Sequence, residues 1–401
     1  MFDLLKGLKV VDLTTVVLGP YATQFLGDLG ADVIKVESPQ GDVYRAARPG
    51  RREDLGVGFL NFNRNKRSIA VDLKQDRGRG VVHDLVGTAD AVVHNMRSSS
   101  AAALGVSYGK LSSLKPSLIY CYSPGFGSRG PDREAPAYDD TIQARSGLAA
   151  LNADSEGAPQ FVRTIACDKV VGLHLALAVV SGVVQRERTG RGVCIEAPML
   201  ESMTSFLLAE HLAGHTLIPA EGKVGYDRVL SPNRKPYRTK DGYLAILPYS
   251  TKHWIRFFEL SDRADLAVHP RVTDPVQRSR HIDELYGILA TIAVTRTTGE
   301  WRALLAARDI PCSPVNSLED LFDDPHLQAA EMFPEVDDAR IGSHRTVRSP
   351  FEVDGGLSHG SHQDSPAPGL GEHTREVLGE LGYTGARIQA LVKDGVVISR
   401  D

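Results

Sequence analysis

The first 125 residues alternate short apolar strand patterns with helical patterns, and this alternation constrains the fold more than any other feature. Helical spacing at residues 21–30 and 80–87 separates strand patterns at residues 8–13, 32–37, 67–73, 90–95 and 118–123. Strands separated by helices form βαβ units, in which the strands are parallel. The pattern predicts an α/β fold with a parallel sheet, whose ligands bind at the carboxyl ends of the strands.

The rest of the chain predicts a second, smaller α/β domain. Residues 170–188 form a predicted helix whose apolar side chains cover all sides, which indicates a buried core helix. A further helix is predicted at residues 199–213. Residues 216–236 are rich in Pro, Gly and charge, as linkers are, and a strand pattern restarts at Tyr237. We expect a large domain of residues 1–215 and 320–401, a linker of residues 216–236 and a small domain of residues 237–319.

Composition excludes several classes of protein. The 401 residues carry 46 Lys and Arg against 50 Asp and Glu, a net charge of −4, and 42% are hydrophobic. This balance is typical of a folded protein and argues against a nucleic-acid partner. The apolar run at residues 170–184 is shorter than the ~20 residues that a membrane span needs. No leader pattern precedes the first strand, so we expect a cytoplasmic protein without a membrane partner.

No metal or dinucleotide motif is found. Four cysteines, Cys121, Cys167, Cys194 and Cys312, have no paired spacing, which argues against disulfides and zinc. The spacing of His211 and His215 fits one helix face, but no third ligand accompanies them. His359 and His362 lie in a Gly/Ser loop, where solvent contact is the simpler interpretation. The first strand–turn–helix reads TTVVLGPYATQFLG and has no G-x-G-x-x-G.

Asp168 immediately precedes the predicted core helix, and two interpretations of it stay open. Asp is a favoured N-cap because its carboxylate accepts backbone N–H groups. The same position also suits chemistry, since the helix dipole would keep the carboxylate ionised and the N–H groups would stabilise an oxyanion. Cys167 lacks an identifiable His partner and is interpreted as a buried, inert thiol. Asp139 and Asp140 follow Tyr138, and the default interpretation is an Asp cap for a helix that includes Gln143.

Basic residues cluster near the predicted strand ends. The segment NRNKR at residues 63–67 follows four upstream arginines, and Arg97 follows the fourth strand; the upstream set is Arg45, Arg48, Arg51 and Arg52. Arg and Lys bind phosphates through charge-assisted hydrogen bonds, so the clusters predict a polyphosphate ligand. A solvated charged loop is the alternative. Arg145 and Arg163 could bind a substrate carboxylate or form surface salt bridges.

Longer stretches resemble family III CoA transferases, the CaiB–BaiF group. They include GLKVVDLTTVVLGPYATQFLGDLGADVIKVESPQGDVYR, NRNKRSIAVDLK, YSPGFGSRGP, AYDDTIQARSGL and DIPCSPVNSLEDLFDDP, and they run from residue 7 to about residue 383. The resemblance implies a large Rossmann-like domain built from both ends of the chain, a smaller middle domain, and an interlocked homodimer. It also implies an acyl-CoA and a carboxylic acid as substrates, with coenzyme A a substrate and no cofactor bound permanently.

The resemblance implies a role for Asp168 as the nucleophile that forms an anhydride and then an aspartyl-CoA thioester. The implied CoA contacts are Val16, Lys66, Asn95, Arg97, Tyr138 and Asp139. Two departures stand out: no glycine-repeat lid is present, and MRSSSAAALG follows DAVVHN where relatives tend to have proline–glycine and a further arginine. An α-methylacyl-CoA racemase of the same family is one alternative, but Tyr138 stands where racemases have the histidine base. A non-catalytic CoA-binding paralogue is the other.

Overall fold

The computed structural model describes residues 2–356 and 365–399. The chain divides into two compact units. Unit 1 is formed by Met1–Leu207 and Ala329–Asp401, and unit 2 by Leu208–Gln328. The segment 216–236, predicted as a linker, lies within unit 2. The domain boundaries drawn from the sequence stay a prediction.

The described residues form twelve strands in three sheets. In chain order they are β1 Lys9–Asp12, β2 Asp32–Glu37, β3 Lys66–Val71, β4 Ala91–His94, β5 Ile119–Tyr122, β6 Val193–Glu196, β7 Tyr237–Arg238, β8 Tyr243–Ile246, β9 Cys312–Pro314, β10 Glu335–Val336, β11 His344–Arg345 and β12 Val397–Ile398. The first five lie where the alternating patterns predict them, within one or two residues. β12 is too short to leave a sequence pattern and was not predicted.

Helices connect and cover the strands. In chain order they are α1 Leu18–Asp28, α2 Val57–Leu60, α3 Asp76–Thr88, α4 Ser98–Ala103, α5 Tyr108–Leu114, α6 Asp139–Ser146, α7 Leu148–Leu151, α8 Ala166–Thr189, α9 Met199–His211, α10 Asp227–Leu230, α11 Thr251–Leu260, α12 Ala264–Ala267, α13 Pro270–Thr273, α14 Pro275–Arg280, α15 Ile282–Ala293, α16 Thr298–Ala306, α17 Pro325–Ala329, α18 Thr374–Glu380 and α19 Gly385–Lys393.

Unit 1 is built on a seven-stranded sheet in the order β12-β3-β2-β1-β4-β5-β6. All neighbours are parallel except β12, which pairs antiparallel with β3 at one edge. The order 3-2-1-4-5-6 is that of the Rossmann fold, and the chain reverses its winding between β1 and β4. The predicted parallel α/β sheet is therefore confirmed, and its ligand site is expected at the carboxyl ends of β1 and β4.

Both faces of this sheet are covered, as a parallel sheet requires. Alternate strand residues point to opposite faces, so Val10 packs with Leu26 and Leu175 on one side. Val11 packs with Leu85 and Leu378 on the other side. Unit 2 has its own core under the antiparallel sheet β7-β8-β9, centred on aromatic side chains such as Trp254 and Phe257.

Helix α8 is not the fully buried core helix that its composition predicts. One stripe is buried at 0% exposure and includes Val171, Leu175 and Val179. Gly172 lets this stripe approach α1 closely, since an added Cβ would lie 2.7 Å from the Leu18 carbonyl oxygen. On the opposite side Leu177 is 62% exposed. Helix α8 has apolar residues on all sides because one stripe packs into the core of unit 1 and a second stripe is left exposed by unit 1.

The length of α8 also corrects the expectation that no apolar segment reaches membrane-spanning size. By length and composition alone the helix qualifies, although a third of its most apolar window is buried within the protein. The sequence estimate stopped at residue 184, whereas the helix extends from Ala166 to Thr189. A core helix of a globular protein can meet the same criterion, so this feature carries no conclusion about a membrane.

Candidate active site

A cavity of about 310 Å³ opens at the point where the winding of the sheet reverses. The loops after β1, β4, β5 and β6 contribute to its wall, together with the first turn of α8. Its lining residues are Thr15, Val16, Leu18, Asn95, Met96, Arg97, Ser100, Ser123, Gly125, Ala135, Pro136, Ala137, Tyr138, Asp168 and Met199. Five residues predicted for the site, Val16, Asn95, Arg97, Tyr138 and Asp168, are therefore brought together here.

Asn95 joins the two loops at the reversal point. Its side-chain Oδ1 accepts from the Thr15 backbone N–H at 3.0 Å, and its Nδ2 donates to the Thr15 carbonyl at 2.9 Å. An amide is suited to this exchange because it carries one acceptor and two donors. The pair fixes the β1 loop against the β4 loop and forms one wall of the cavity.

Val16 adopts a left-handed backbone conformation with φ of +70°. For a β-branched residue this is unusual and costs roughly 1–3 kcal/mol, so surrounding contacts must hold it. Its backbone N–H donates to both carboxylate oxygens of Asp42 at 3.2 Å. Asp42 is in turn paired with the buried ammonium of Lys35, at 3.2 Å. A buried ion pair thus holds the strained residue of the β1 loop in place.

Lys66 is not among the residues that line this cavity, and its assignment as a CoA contact stays a prediction. Its side chain is fully buried and its ammonium pairs with Asp12 at 3.1 Å. It also donates to Thr23 Oγ1 at 2.7 Å and Asn63 Oδ1 at 2.9 Å. Burial lowers the pKa of Lys66 to about 8. Asp12 accepts from the Thr14 backbone N–H, so Lys66 supports the β1 loop from below.

Most of the predicted basic cluster is likewise engaged inside unit 1. Arg45 is buried in a two-fold contact with Glu37 and lies over the Phe59 ring. Arg64 pairs with Asp28. Several other members are bound elsewhere: Arg67 to Asp32, Glu376 and Glu380, Arg52 to Asp54, Arg51 to the Ile341 carbonyl, and Arg48 to the Arg52 carbonyl. Of the predicted polyphosphate cluster, Arg97 alone lines the cavity.

Asp168 lies within the first turn of α8 rather than at its N-cap. The helix begins at Ala166 and Ile165 occupies the cap position, so the predicted capping role of Asp168 is wrong. Burial first, and then the negative charge of Asp139, raises the pKa of Asp168 from 3.8 to about 7. The helix dipole therefore does not hold this carboxyl ionised as expected. Loss of water around the group outweighs the dipole.

Asp139 provides the cap that Asp168 does not. Its Oδ1 accepts from the Asp168 backbone N–H at 3.0 Å, and its Oδ2 accepts from Gln143 Nε2 at 2.6 Å. Asp139 is the first residue of α6, whose N-cap is Tyr138, so the predicted Asp cap serves α8 instead of α6. Asp139 lies behind Asp168, whereas Tyr138 is 72% exposed and lines the cavity.

The sequence singles out three further side chains near the predicted site: Cys167, Arg145 and Arg163. Cys167 is buried, and its pKa is raised to about 12 by burial and then by Asp139 and Asp168, which supports an inert thiol. Arg145 pairs with Asp132 and lies over Phe126, and Arg163 is exposed. Neither arginine is among the residues that line the cavity. Among the described residues no group of three His, Cys, Asp or Glu is placed to hold a metal, and His359 and His362 lie outside those residues.

Tyr44 is a neighbour of the site that the sequence did not reveal. Burial and then the charge of Asp168 raise the pKa of its phenol. Tyr44 lies in a short 3-10 turn, Val43–Ala46, and no local motif marks it. The arrangement as a whole places a poorly hydrated carboxyl of near-neutral pKa in a cavity at a ligand-binding sheet edge. Such a carboxyl is suited to nucleophilic attack or to proton transfer.

Comparison with known proteins matches this geometry to a group of enzymes. The model of CoA-transferase family III matches residues 5–374. A succinyl-CoA:glutarate CoA-transferase of Mus musculus is 31% identical, over 98% of this chain and 90% of its own. A formyl-CoA:oxalate CoA-transferase of Rhodopseudomonas palustris strain TIE-1 is 30% identical, over 98% and 97%. A crystal structure of a CAIB/BAIF family protein from Brucella suis is 31% identical with a TM-score of 0.76, over 94% and 99%. The named functions favour transfer of CoA over racemisation.

Proposed function

The chain belongs to CoA-transferase family III, and from this premise we propose that Asp168 carries the transferred group in covalent intermediates. The observation that supports the proposal is the Asp168 carboxyl, which lines the cavity and has a pKa of about 7. This pKa makes the poorly hydrated group a more basic nucleophile than an ordinary carboxylate. A carboxylate of ordinary pKa is a weak nucleophile and a good leaving group. Desolvation strengthens its attack on a thioester.

The proposed reaction consists of four displacements at carbonyl carbons. An Asp168 oxygen attacks the acyl-CoA thioester, the C–S bond breaks, and a mixed anhydride and CoA thiolate form. The thiolate attacks Cγ of Asp168 and releases the donor acid, which leaves an aspartyl-CoA thioester. The acceptor carboxylate attacks Cγ and displaces thiolate, and the thiolate then attacks the acceptor acyl carbon and frees Asp168. One thioester replaces another, so no external energy source is required.

The cavity wall supports a CoA-binding role for the residues brought together there. Arg97 is exposed at the edge and can pair with a phosphate group. The strained Val16 and the Thr15–Asn95 pair line the same cavity as Asp168. We propose Val16, Asn95, Arg97 and Tyr138 as contacts of the coenzyme. Asp139 is proposed as a positioning residue that acts through Asp168 rather than as a contact.

A short dicarboxylic acid is the proposed acceptor. The relatives are named for glutarate and oxalate as the acids that receive CoA. Neither Arg145 nor Arg163 lines the cavity, so neither is proposed as the group that binds the second carboxylate. A cytoplasmic location is part of this proposal.

We further propose that the protein is a homodimer and that α8 lies in the interface. Leu173, Leu177 and Val184 are 47%, 62% and 44% exposed in the single chain. Their spacing of four and seven residues puts them on one face of α8, opposite the buried stripe. An exposed apolar stripe of this length on a helix in unit 1 is typical of a protein–protein contact. The interlocking of the two chains rests on the resemblance to the family.

Trapping the covalent adduct tests the mechanism. The protein is incubated with succinyl-CoA, quenched with hydroxylamine and digested, and the peptide that contains Asp168 is weighed. We expect a hydroxamate on Asp168 in the native protein and none in Asp168→Asn. Asp140→Asn is the matched control, because Asp140 is an exposed neighbour. Full transferase activity of folded Asp168→Asn would refute the proposed nucleophile, while exchange of the α-proton without transfer would support the racemase.

A further inference from the structure

Unit 2 contains a small cavity of about 100 Å³ that two arginines line, Arg228 and Arg278. The two guanidinium groups are close enough that the charge of Arg228, after burial, lowers the pKa of Arg278. Among the described residues no carboxylate lies within salt-bridge distance of either arginine. Two facing cations without a counter-ion repel each other, and a bound anion would relieve this repulsion.

The guanidinium groups are held in place by contacts that leave donors free. Arg228 Nε donates to the Tyr286 hydroxyl at 3.0 Å, and the group lies 4.6 Å from the centre of the Tyr249 ring. One terminal nitrogen of Arg278 donates two hydrogen bonds, to Thr251 Oγ1 at 2.8 Å and to the Val272 carbonyl at 2.6 Å. The other nitrogens of each guanidinium have no hydrogen-bond acceptor among the described residues. These contacts fix two forks whose remaining N–H groups are available to a ligand.

One acidic side chain acts on Arg278 and is used within the protein. Asp274 is the carboxylate whose charge acts on Arg278. Its Oδ1 accepts from the backbone N–H groups of Val276 and Gln277, at 2.7 and 3.0 Å, and so caps α14. Among the described residues, Asp274 forms neither a hydrogen bond nor an ion pair with either arginine, so it does not supply the acceptor that they lack.

Trp254 is a second, independent observation that points to an anion in this cavity. It lines the same cavity and is fully buried, and its Nε1–H has no hydrogen-bond partner among the described residues. The other tryptophan, Trp301, shows the usual outcome, since its Nε1 donates to the Ala293 carbonyl at 2.8 Å. A buried donor without an acceptor is costly, and an anionic oxygen in the adjoining space would supply one.

We propose that this cavity binds one small oxyanion between Arg228 and Arg278, with Trp254 as an additional donor. The ligand group is a carboxylate of a short organic acid or a phosphate group, both of which match the fork geometry of arginine. A whole coenzyme is excluded by size, because ligand pockets for larger molecules measure roughly 300–1,000 Å³. All residues that line this site belong to unit 2, none of them lines the Asp168 cavity, and the proposal does not rest on the proposed function.

Tryptophan fluorescence of the full-length protein tests the site. The protein is titrated with succinate, with inorganic phosphate, and with sodium chloride at matched ionic strength. We expect a saturable change with succinate or phosphate and none with chloride, and the anion that saturates identifies the ligand group. The change should disappear in Trp254→Phe. The affinity should fall at least tenfold in Arg278→Gln and less in Arg278→Lys, which keeps the charge but loses the fork.

Two controls separate this site from the rest of the protein. Arg271→Gln removes an exposed arginine that pairs with Glu284, and we expect unchanged binding. Asp168→Asn should also bind the anion normally, because its substitution lies in unit 1. Circular dichroism establishes that each variant is folded. The proposal is overturned if no anion gives saturation, if Arg278→Gln and Arg278→Lys bind like the native protein, or if Asp168→Asn abolishes the response.

Discussion

The backbone N–H of Asp168 donates to the side-chain Oδ1 of Asp139 at 3.0 Å. This bond orders the first turn of α8 and at the same time brings a second negative charge close to the Asp168 carboxyl. Burial and this charge together raise the pKa of Asp168 to about 7. Asp139 therefore positions the proposed nucleophile and also sets the pH range in which it is ionised.

We expect Asp139→Asn to shift the pH dependence of transfer to lower pH. Asparagine keeps an oxygen that can accept the Asp168 N–H, but it removes the charge that raises the pKa of Asp168. The acid limb of kcat/KM, centred near pH 7 in the native protein, should move down by on the order of one unit. It should stay above pH 3.8 because burial remains. Asp140→Asn is the control, and an unmoved limb in Asp139→Asn would contradict the assignment.

Asp168→Asn should stabilise the folded protein, and more so at higher pH. The folded pKa of about 7 exceeds the ordinary value of 3.8, so the cost of ionising Asp168 in the fold appears as pH rises between these values. Three pH units correspond to up to about 4 kcal/mol. The gain in melting temperature should be near zero at pH 4 and several degrees at pH 8. An equal gain at both pH values would show that ionisation of Asp168 is not the cause.

Substitution by methionine should lower the stability of the protein at Lys66 and the affinity for CoA at Arg97. Lys66→Met leaves the buried carboxylate of Asp12 without its ion pair, which typically costs about 3 kcal/mol of unfolding free energy. Arg97→Met removes an exposed charge and should change stability by less than about 0.5 kcal/mol. It should weaken CoA binding and reduce the salt dependence of that binding. Urea unfolding measures the free energy of unfolding, and calorimetric titration with CoA measures the affinity and its salt dependence. Lys74→Met, at an exposed position, is the control, and the reverse pattern would support Lys66 as a CoA contact.

The sequence predicts the sheet well because strand formation here depends on local pattern. Each of the first five strands contains a short run of apolar residues between turns, and burial on both faces requires such residues. The reversal of winding between β1 and β4 then follows from the observed strand order, and it places Val16 and Asn95 next to each other. The cavity at this edge could be expected without knowing any side-chain contact.

The ion-pair partners of the charged residues could not be predicted from the sequence, because these partners are distant in the chain. Arg67 pairs with Glu380, more than 300 residues away, and Arg64 with Asp28. Each looks like a free cation in the sequence. The cap of α8 poses the same difficulty, since Asp139 reaches it from 29 residues earlier in the chain. For helix α8 the sequence does not show which apolar stripe is buried, because a stripe that packs in the core and a stripe in an interface have the same composition.

Leu177→Glu should disrupt the proposed homodimer. Leu177 is 62% exposed in the single chain and lies in the centre of the uncovered stripe on α8. In an interface this side chain would be buried, and a carboxylate there would lose its water without gaining a partner. Light scattering coupled to size-exclusion chromatography should give a dimer for the native protein and a monomer for the variant. Gln185→Glu adds the same charge at an exposed polar position of the same helix and should stay dimeric. Because unit 1 leaves Leu177 uncovered, the fold itself tolerates the charge, so a folded, dimeric Leu177→Glu protein would place the interface elsewhere.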